Sequence, residues 1–397
     1  MSYSIYHIDL KIDVENHFLS SNVELTYYCN APLTKEFHFY IYKDLQVEEV
    51  ICDRNFTYEI SSQIANWSPF VLESKLIKLS LNEPIHEGFI QMNFQYKGFI
   101  DIVSEYGVNR LSKNWIELGL YTPWFPLAEN MEEAVFNVRI DIEDGYEVIN
   151  SKREGEYLMI RQPFESQDCT VIASNSFKCI KNKSINPKVK VYYTADQYET
   201  SAYQITNWVS IILDKYQRFG MVEIPELSLV IAPREDGGGY ARKGLIVLIP
   251  NDYEEDEDYF TFIAHELAHL WWYRAKTDSW QDWLNESFAE YSALLALREI
   301  FGEHHFTKKM KNHLHESKGL PPIRNISRND NQVRKVLYVK GPVVLYELEK
   351  HIGREKFAEL LHKVYGKKVT TTKEFLEQLE WIATTKAKDF FEKLLIK

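Results

Sequence analysis

Residues 259–273 read YFTFIAHELAHLWWY, and no other stretch limits the fold as tightly. Apart from Thr261, its strongly polar side chains are His265, Glu266 and His269. A helix that is apolar on most faces is a buried helix. Ionisable groups inside such a helix are expensive to desolvate unless they are paired or bind a metal. The run therefore predicts a buried helix and something that compensates three ionisable side chains.

The spacing suggests what that is. His265 and His269 are four residues apart, so on a helix both imidazoles leave one face and can share a metal. Glu266, one position on, is angled toward a water beside the metal. This is the H-E-x-x-H pattern of two zinc ligands and a general base. Its alternative is a pair of core histidines bonded to carbonyls. A catalytic zinc takes a third protein ligand, and WLNESFAEYSALLAL (283–297) offers one. That segment reads as a second apolar helix with Glu286, Glu290, Ala293 and Leu297 along one stripe. Glu286 comes 17 positions after His269, enough for a turn and an antiparallel return, and is the expected third ligand. Glu290, one turn further, either accepts a hydrogen bond from a ligand histidine's other N–H or is an ordinary helix-surface carboxylate. The expectation is one Zn2+ per chain. The acidic run EEDEDY (254–259) reads as a solvated loop whose carboxylates favour the helix N-terminus that follows.

A chain of 397 residues predicts two or three domains. YSIYHIDLKIDVEN alternates, and NVELTYYCN, KEFHFYIY, IKLSL, IQMNFQYKG, AVFNVRIDI and LMIRQ follow, separated by turn signals. This predicts an N-terminal all-β domain over 1–187, an antiparallel sandwich or saddle-shaped sheet. Over 188–397 three strands (VKVYYT, LSLVIA, GLIVLIP) and a helical stretch through Tyr216 precede a nearly all-helical end. The fold class is α+β. A net charge of −12 without a basic stripe argues against nucleic-acid binding. There is no run of apolar residues long enough for a membrane span and no signal-peptide pattern at the start. Cys29, Cys52, Cys169 and Cys179 lack paired spacing and read as free thiols in a reducing cytoplasm.

HELAH followed by WLNESFAEY resembles the gluzincin aminopeptidases, the family of membrane alanyl aminopeptidase and leukotriene hydrolase, which has WLNEGFA at its third ligand. The matching residues are His265, Glu266, His269 and Glu286. Tyr338-Val339-Lys340-Gly341 resembles the family's Tyr-x-Lys-Gly, which implies that Tyr338 stabilises a tetrahedral intermediate. The resemblance implies a β domain followed by a thermolysin-like domain, and hydrolysis of a peptide substrate. Sixteen residues (270–285) separate His269 from Glu286, two fewer than is usual in the family. The family's large C-terminal helical domain has no counterpart before the end at FFEKLLIK. On this resemblance the cleft is expected to be more open, or covered by another copy in a homo-oligomer.

The family's Gly-x-Met-Glu-Asn segment, whose glutamate binds the substrate's free amino terminus, corresponds to Gly238-Gly239-Tyr240-Ala241-Arg242. Ala241 stands at the glutamate and Arg242 at the asparagine. The backbone of Gly238, Gly239 and Tyr240 can still pair with an extended peptide. Glu117, in WIELGLYTPWFP, loosely matches where the family's β domain contributes a second amine-binding residue ahead of a Phe-Pro pair, here Phe125-Pro126. It is read either as a substitute amine anchor or as an exposed strand carboxylate. The expected activity is that of an aminopeptidase of altered specificity. An endopeptidase, another zinc hydrolase or a non-catalytic scaffold are the alternatives.

Overall fold

In Ser4–Asp13 every second side chain is buried, the period of a strand covered on one face. This strand pairs antiparallel with Phe18–Cys29 and parallel with Ala134–Asp141. Phe18–Cys29 in turn pairs antiparallel with Gly88–Phe99. The computed structural model describes residues 3–31, 33–67, 71–100, 110–234, 238–251 and 255–397. Among them the N-terminal part holds one seven-stranded and two four-stranded sheets. The all-β expectation holds, with one correction. The parallel pairing of Ser4–Asp13 with Ala134–Asp141 makes the largest sheet mixed. The N-terminal part buries Phe39, Phe94, Tyr96, Trp124, Phe125 and Phe136 in one core.

Two compact units emerge: Met1–Lys178 with Pro233–Gly238, and Cys179–Ala232 with Gly239–Lys397. The division falls before the boundary expected at 187, because Lys178–Asn182 joins the second unit's five-stranded sheet beside Lys188–Tyr193. In that sheet Lys188–Tyr193, Glu226–Ile231 and Leu245–Leu248 run parallel. Tyr240–Arg242 closes the edge antiparallel to Leu245–Leu248, with Ala241 opposite Ile246.

The helices follow: α1 (Glu199–Tyr216), α2 (Asp256–Ala268), α3 (Trp283–Ile300), α4 (Glu303–Glu316), α5 (Val333–Lys335), α6 (Gly341–Ile352), α7 (Arg354–Gly366), α8 (Thr372–Ile382) and α9 (Thr385–Leu395). α1 buries Ala202, Ile205, Val209, Ile212 and Tyr216, the i, i+3, i+4, i+7 stripe of a helix laid on a core. No helix among the described residues is long and apolar enough to cross a membrane.

α2 and α3 are the most thoroughly buried helices. Trp283 begins α3 with its ring against Phe288, Phe375 and Phe391, and its Nε1 donates to Thr372 Oγ1 at 2.8 Å. Asn285 Oδ1 accepts from the Ala275 amide at 3.0 Å while its Nδ2 donates to the Ala275 carbonyl at 2.9 Å. The start of α3 is thereby tied to the chain leaving α2.

Candidate metal centre

α2 begins inside the acidic run. Asp256, Glu257 and Asp258 form its first turn, where the positive end of the helix dipole favours carboxylates. The run is thus mostly helix rather than the expected loop, and Glu257 is buried against His305 and Lys308. Its first residue, Glu254, lies outside the described residues. The helix ends sooner than the apolar run does. His269 is its C-terminal cap, and Leu270 to Trp272 turn back on Leu267 and Ala268.

The two histidines use their Nδ1 atoms outward. His265 Nδ1 lies 2.9 Å from Glu290 Oε2, and His269 Nδ1 lies 2.9 Å from the Trp272 carbonyl. A carbonyl and a carboxylate both require a donor, so each ring carries its proton on Nδ1 and presents a lone pair at Nε2. Those Nε2 atoms face each other at 3.2 Å, and each faces Glu286 Oε2, at 3.4 and 3.6 Å. Two lone pairs and a carboxylate oxygen so close repel one another unless a proton on His265 or a cation among the three relieves them. Glu286 Oε2 is buried and has no hydrogen-bond partner. A point equidistant from the three atoms lies about 2.0 Å from each, the length of zinc–nitrogen and zinc–carboxylate bonds. The donor set therefore fits zinc, and it is the group of this kind found among the described residues.

The electrostatics agree. Burial opposes ionisation of Glu286 and Glu290, yet the histidines beside them outweigh it and hold both carboxyls at about 2. Burial also opposes charge on His265, but the Glu286 and Glu290 carboxylates beside it outweigh burial and raise its pKa well above an ordinary histidine's. His269, dominated by burial, falls below that value. Two ionised carboxylates thus surround two imidazoles in a dry setting and call for positive charge at the centre. Glu266, 6% exposed, stands outside the triangle. Burial, reinforced by Glu286 and Glu290, lifts its carboxyl to about 7 against the opposing His265 and Arg242.

Tyr338 also comes to the cluster. Its ring stacks on His265 with centroids 5.4 Å apart and planes 20° from parallel. Burial and the neighbouring Glu286 carboxylate push its phenol well above the ordinary value. Sequence reasoning missed several supports. The Trp272 carbonyl and Asn285 gave no separate signal, although Asn285 lies in the quoted WLNES. His313, 3.8 Å from Glu290 Oε1, and Arg328, 3.2 Å from buried Asp282, had none at all.

Among the residues expected to meet substrate, Tyr240 lies on the edge strand as anticipated. Gly239 is needed just before it, since a Cβ there would collide with the Phe262 ring of α2 and the Val247 carbonyl. Gly238 belongs to the first unit, where its carbonyl accepts from Arg234 Nη2 at 3.0 Å. Glu117 requires correction. It lies on the strand Trp115–Leu118 but is fully buried rather than exposed. Arg234 grips both of its oxygens, Nε to Oε2 at 3.1 Å and Nη2 to Oε1 at 3.2 Å, and Trp115 Nε1 donates to Oε2 at 2.9 Å. Its charge is thus already met by Arg234 within the fold.

Residues 184–394 match the peptidase family M1 domain. The chain belongs to peptidase family M1. Among M1 and related sequences, it is 25% identical over 339 residues to the probable aminopeptidase 1 of Sulfurisphaera tokodaii, covering 75% of this chain and 43% of that protein. It is 29% identical over 207 residues to endoplasmic reticulum aminopeptidase 2 of Bos taurus, covering 46% of this chain and 21% of the other. The chain spans less than half the length of these relatives. Its fold is similar to that of the M1 zinc metallopeptidase from Deinococcus radiodurans, with a TM-score of 0.74 at 14% identity over 100% of this chain and 93% of that one. It is also similar to yeast LTA4 hydrolase, with a TM-score of 0.75 at 18% identity over 98% of this chain and 66% of that one. At these identities the structural likenesses establish the M1 fold, a β-sheet unit followed by a largely helical one.

Proposed function

We propose that this M1 chain is a zinc-dependent peptidase that binds one zinc ion through His265, His269 and Glu286. The observation that carries the reading is the convergence of two Nε2 lone pairs and an unpartnered, buried carboxylate oxygen on one point. Zinc held there supplies Lewis acidity toward a peptide carbonyl and toward water. Glu266, with a carboxyl near 7, is poised to accept a proton from the attacking water and return it to the leaving amine. Tyr338 keeps its phenolic proton at neutral pH and can donate it as a hydrogen bond to the carbonyl oxygen as charge develops there. Glu290 fixes the tautomer of His265 by accepting from Nδ1. The edge strand Tyr240–Arg242 offers backbone to an extended peptide.

The names of the matched relatives support aminopeptidase action, of altered specificity because Ala241 supplies no carboxylate. The buried Glu117–Arg234 pair favours a second reading, a peptidase indifferent to a free amino terminus. The four cysteines, all thiols, are consistent with a cytoplasmic setting. Two measurements test the proposal. Glu266→Gln is expected to retain zinc and lose nearly all peptide hydrolysis, and a fully active Glu266→Gln protein would exclude that glutamate as the base. Comparison of a peptide with its N-acetylated form separates the two specificities, since only an aminopeptidase discriminates against the acetylated one.

A further inference from the structure

The chain from Val333 to Ile352 is helical throughout but changes pitch in its middle. α5 gives way to a π turn, Val336–Lys340, in which the Gly341 amide reaches back five residues to the Val336 carbonyl, and α6 resumes the ordinary helix. Pro342 explains the wide turn. It has no N–H to give the Tyr338 carbonyl four residues back, and its ring needs the space that this carbonyl would occupy in a regular helix. An extra residue in the turn relieves both conflicts.

The widened turn sends its side chains to different places. Tyr338 stacks on His265. Lys340 is buried elsewhere, donating to the Leu320 and Pro321 carbonyls at 2.9 and 2.8 Å. Gly341 lies against α3, where an added Cβ would overlap Ser287 Oγ and Cβ. Ser287, the neighbour of Glu286, donates from Oγ to the Leu337 carbonyl at 2.7 Å. The turn bearing Tyr338 is thus seated directly on the backbone that bears Glu286, with no room for a side chain between them.

We propose that Gly341 and Pro342 are positioning residues for turnover: the glycine lets the turn seat on Ser287, the proline holds it wide, and together they aim Tyr338 at the His265–His269–Glu286 cluster. This inference rests on Tyr338 taking part in turnover as described above. The direct test places 3-fluorotyrosine at position 338 of the zinc-loaded chain and follows its fluorine resonance. Gly341→Ala is expected to move the resonance, and Gly341→Ala with Ser287→Gly, which vacates the overlapping atoms, is expected to restore it. Pro342→Ala, which adds no overlap with Ser287, is expected to move it as well, and serves if Gly341→Ala does not fold. In turnover, Gly341→Ala should lower kcat by roughly 10²–10³-fold, the loss expected for Tyr338→Phe, with KM and zinc content little changed. In a Tyr338→Phe background it should cost less than about twofold more. A resonance unmoved by Gly341→Ala or Pro342→Ala, or losses that multiply in the double variant, overturns the proposal. If Tyr338→Phe alone keeps full turnover, the role of Tyr338 itself fails, and the fluorine resonance still decides whether these two residues aim its ring.

Discussion

Replacing Glu290 by glutamine isolates one support of the proposed metal centre. Glu290 Oε2 accepts from His265 Nδ1 at 2.9 Å, whereas His269 gives its Nδ1 proton to a backbone carbonyl. The substitution therefore acts on one imidazole and leaves the other untouched. Glutamine keeps the shape of glutamate and can still accept the Nδ1 proton through its amide oxygen. What disappears is a full negative charge that makes the His265 ring a better donor at Nε2. Partners of ligand histidines are typically worth 10- to 100-fold in metal affinity, so we expect zinc to bind weaker by about 1.4–2.7 kcal/mol. The assay is competition between the zinc-loaded protein and chelators of graded affinity near neutral pH, read as zinc retained per chain by elemental analysis. Glu286→Gln, which removes a proposed direct ligand, should lose far more in the same series. An affinity for Glu290→Gln within twofold of wild type would refute the argument that this carboxylate orients and charges His265.

Three further outcomes follow from the same geometry. Arg234→Leu strands the buried Glu117 and should destabilise the chain by about 3–5 kcal/mol in urea unfolding, while Glu117→Leu with Arg234→Leu recovers much of it; a double variant no better than the single one contradicts the pairing. Trp283→Ala empties the aromatic cluster at the start of α3 and takes one donor from Thr372 Oγ1, which keeps its bond to Gln281, an expected loss of about 3–5 kcal/mol, visible as a lower Tm; an unchanged Tm is the contrary result. The carboxyls of Glu286 and Glu290 are depressed from 4.5 to about 2 in the metal-free fold, so their stabilisation is complete above about 4.5 and fades as pH falls toward 2. The stability gap between metal-free wild type and Glu290→Gln should accordingly close over that interval, and a gap that widens on acidification reverses the expected sign.

The convergence of His265, His269 and Glu286 was readable in the sequence because it is local. Histidines four residues apart share a helix face whatever the fold, and the apolar density around them announced burial. Glu286 needed only one more helix of the same kind. Glu117 was not readable, because its environment is made by Arg234, 117 positions away, and a strand's alternation says nothing of which partner covers it. The short strands Arg110–Ser112 and Val171–Ser174 escaped for a related reason. They are too brief to show a period, and Val171–Ser174 takes its partner, Trp115–Leu118, from far along the chain. The π turn had a local cause in Pro342, but proline beside glycine also signals an ordinary helix start. Only the contact of Gly341 with Ser287 distinguishes the two.

His269 is held differently from its companions. His265 stands inside α2, and Glu286 lies in the first turn of α3, an end tied down by Asn285 and Trp283, whereas His269 caps α2 and is followed by a tight turn closed by the amides of Leu270, Trp271 and Trp272. Helix ends open on their own far more often than helix middles. If an ion is held as proposed, its release should begin as a brief fraying at this end, with His269 swinging out first while His265 and Glu286 stay in place. The lifetime of the bound ion would then be governed by how often three backbone amides near two tryptophans let go, a kinetic property that the equilibrium strength of the ligand set does not reveal.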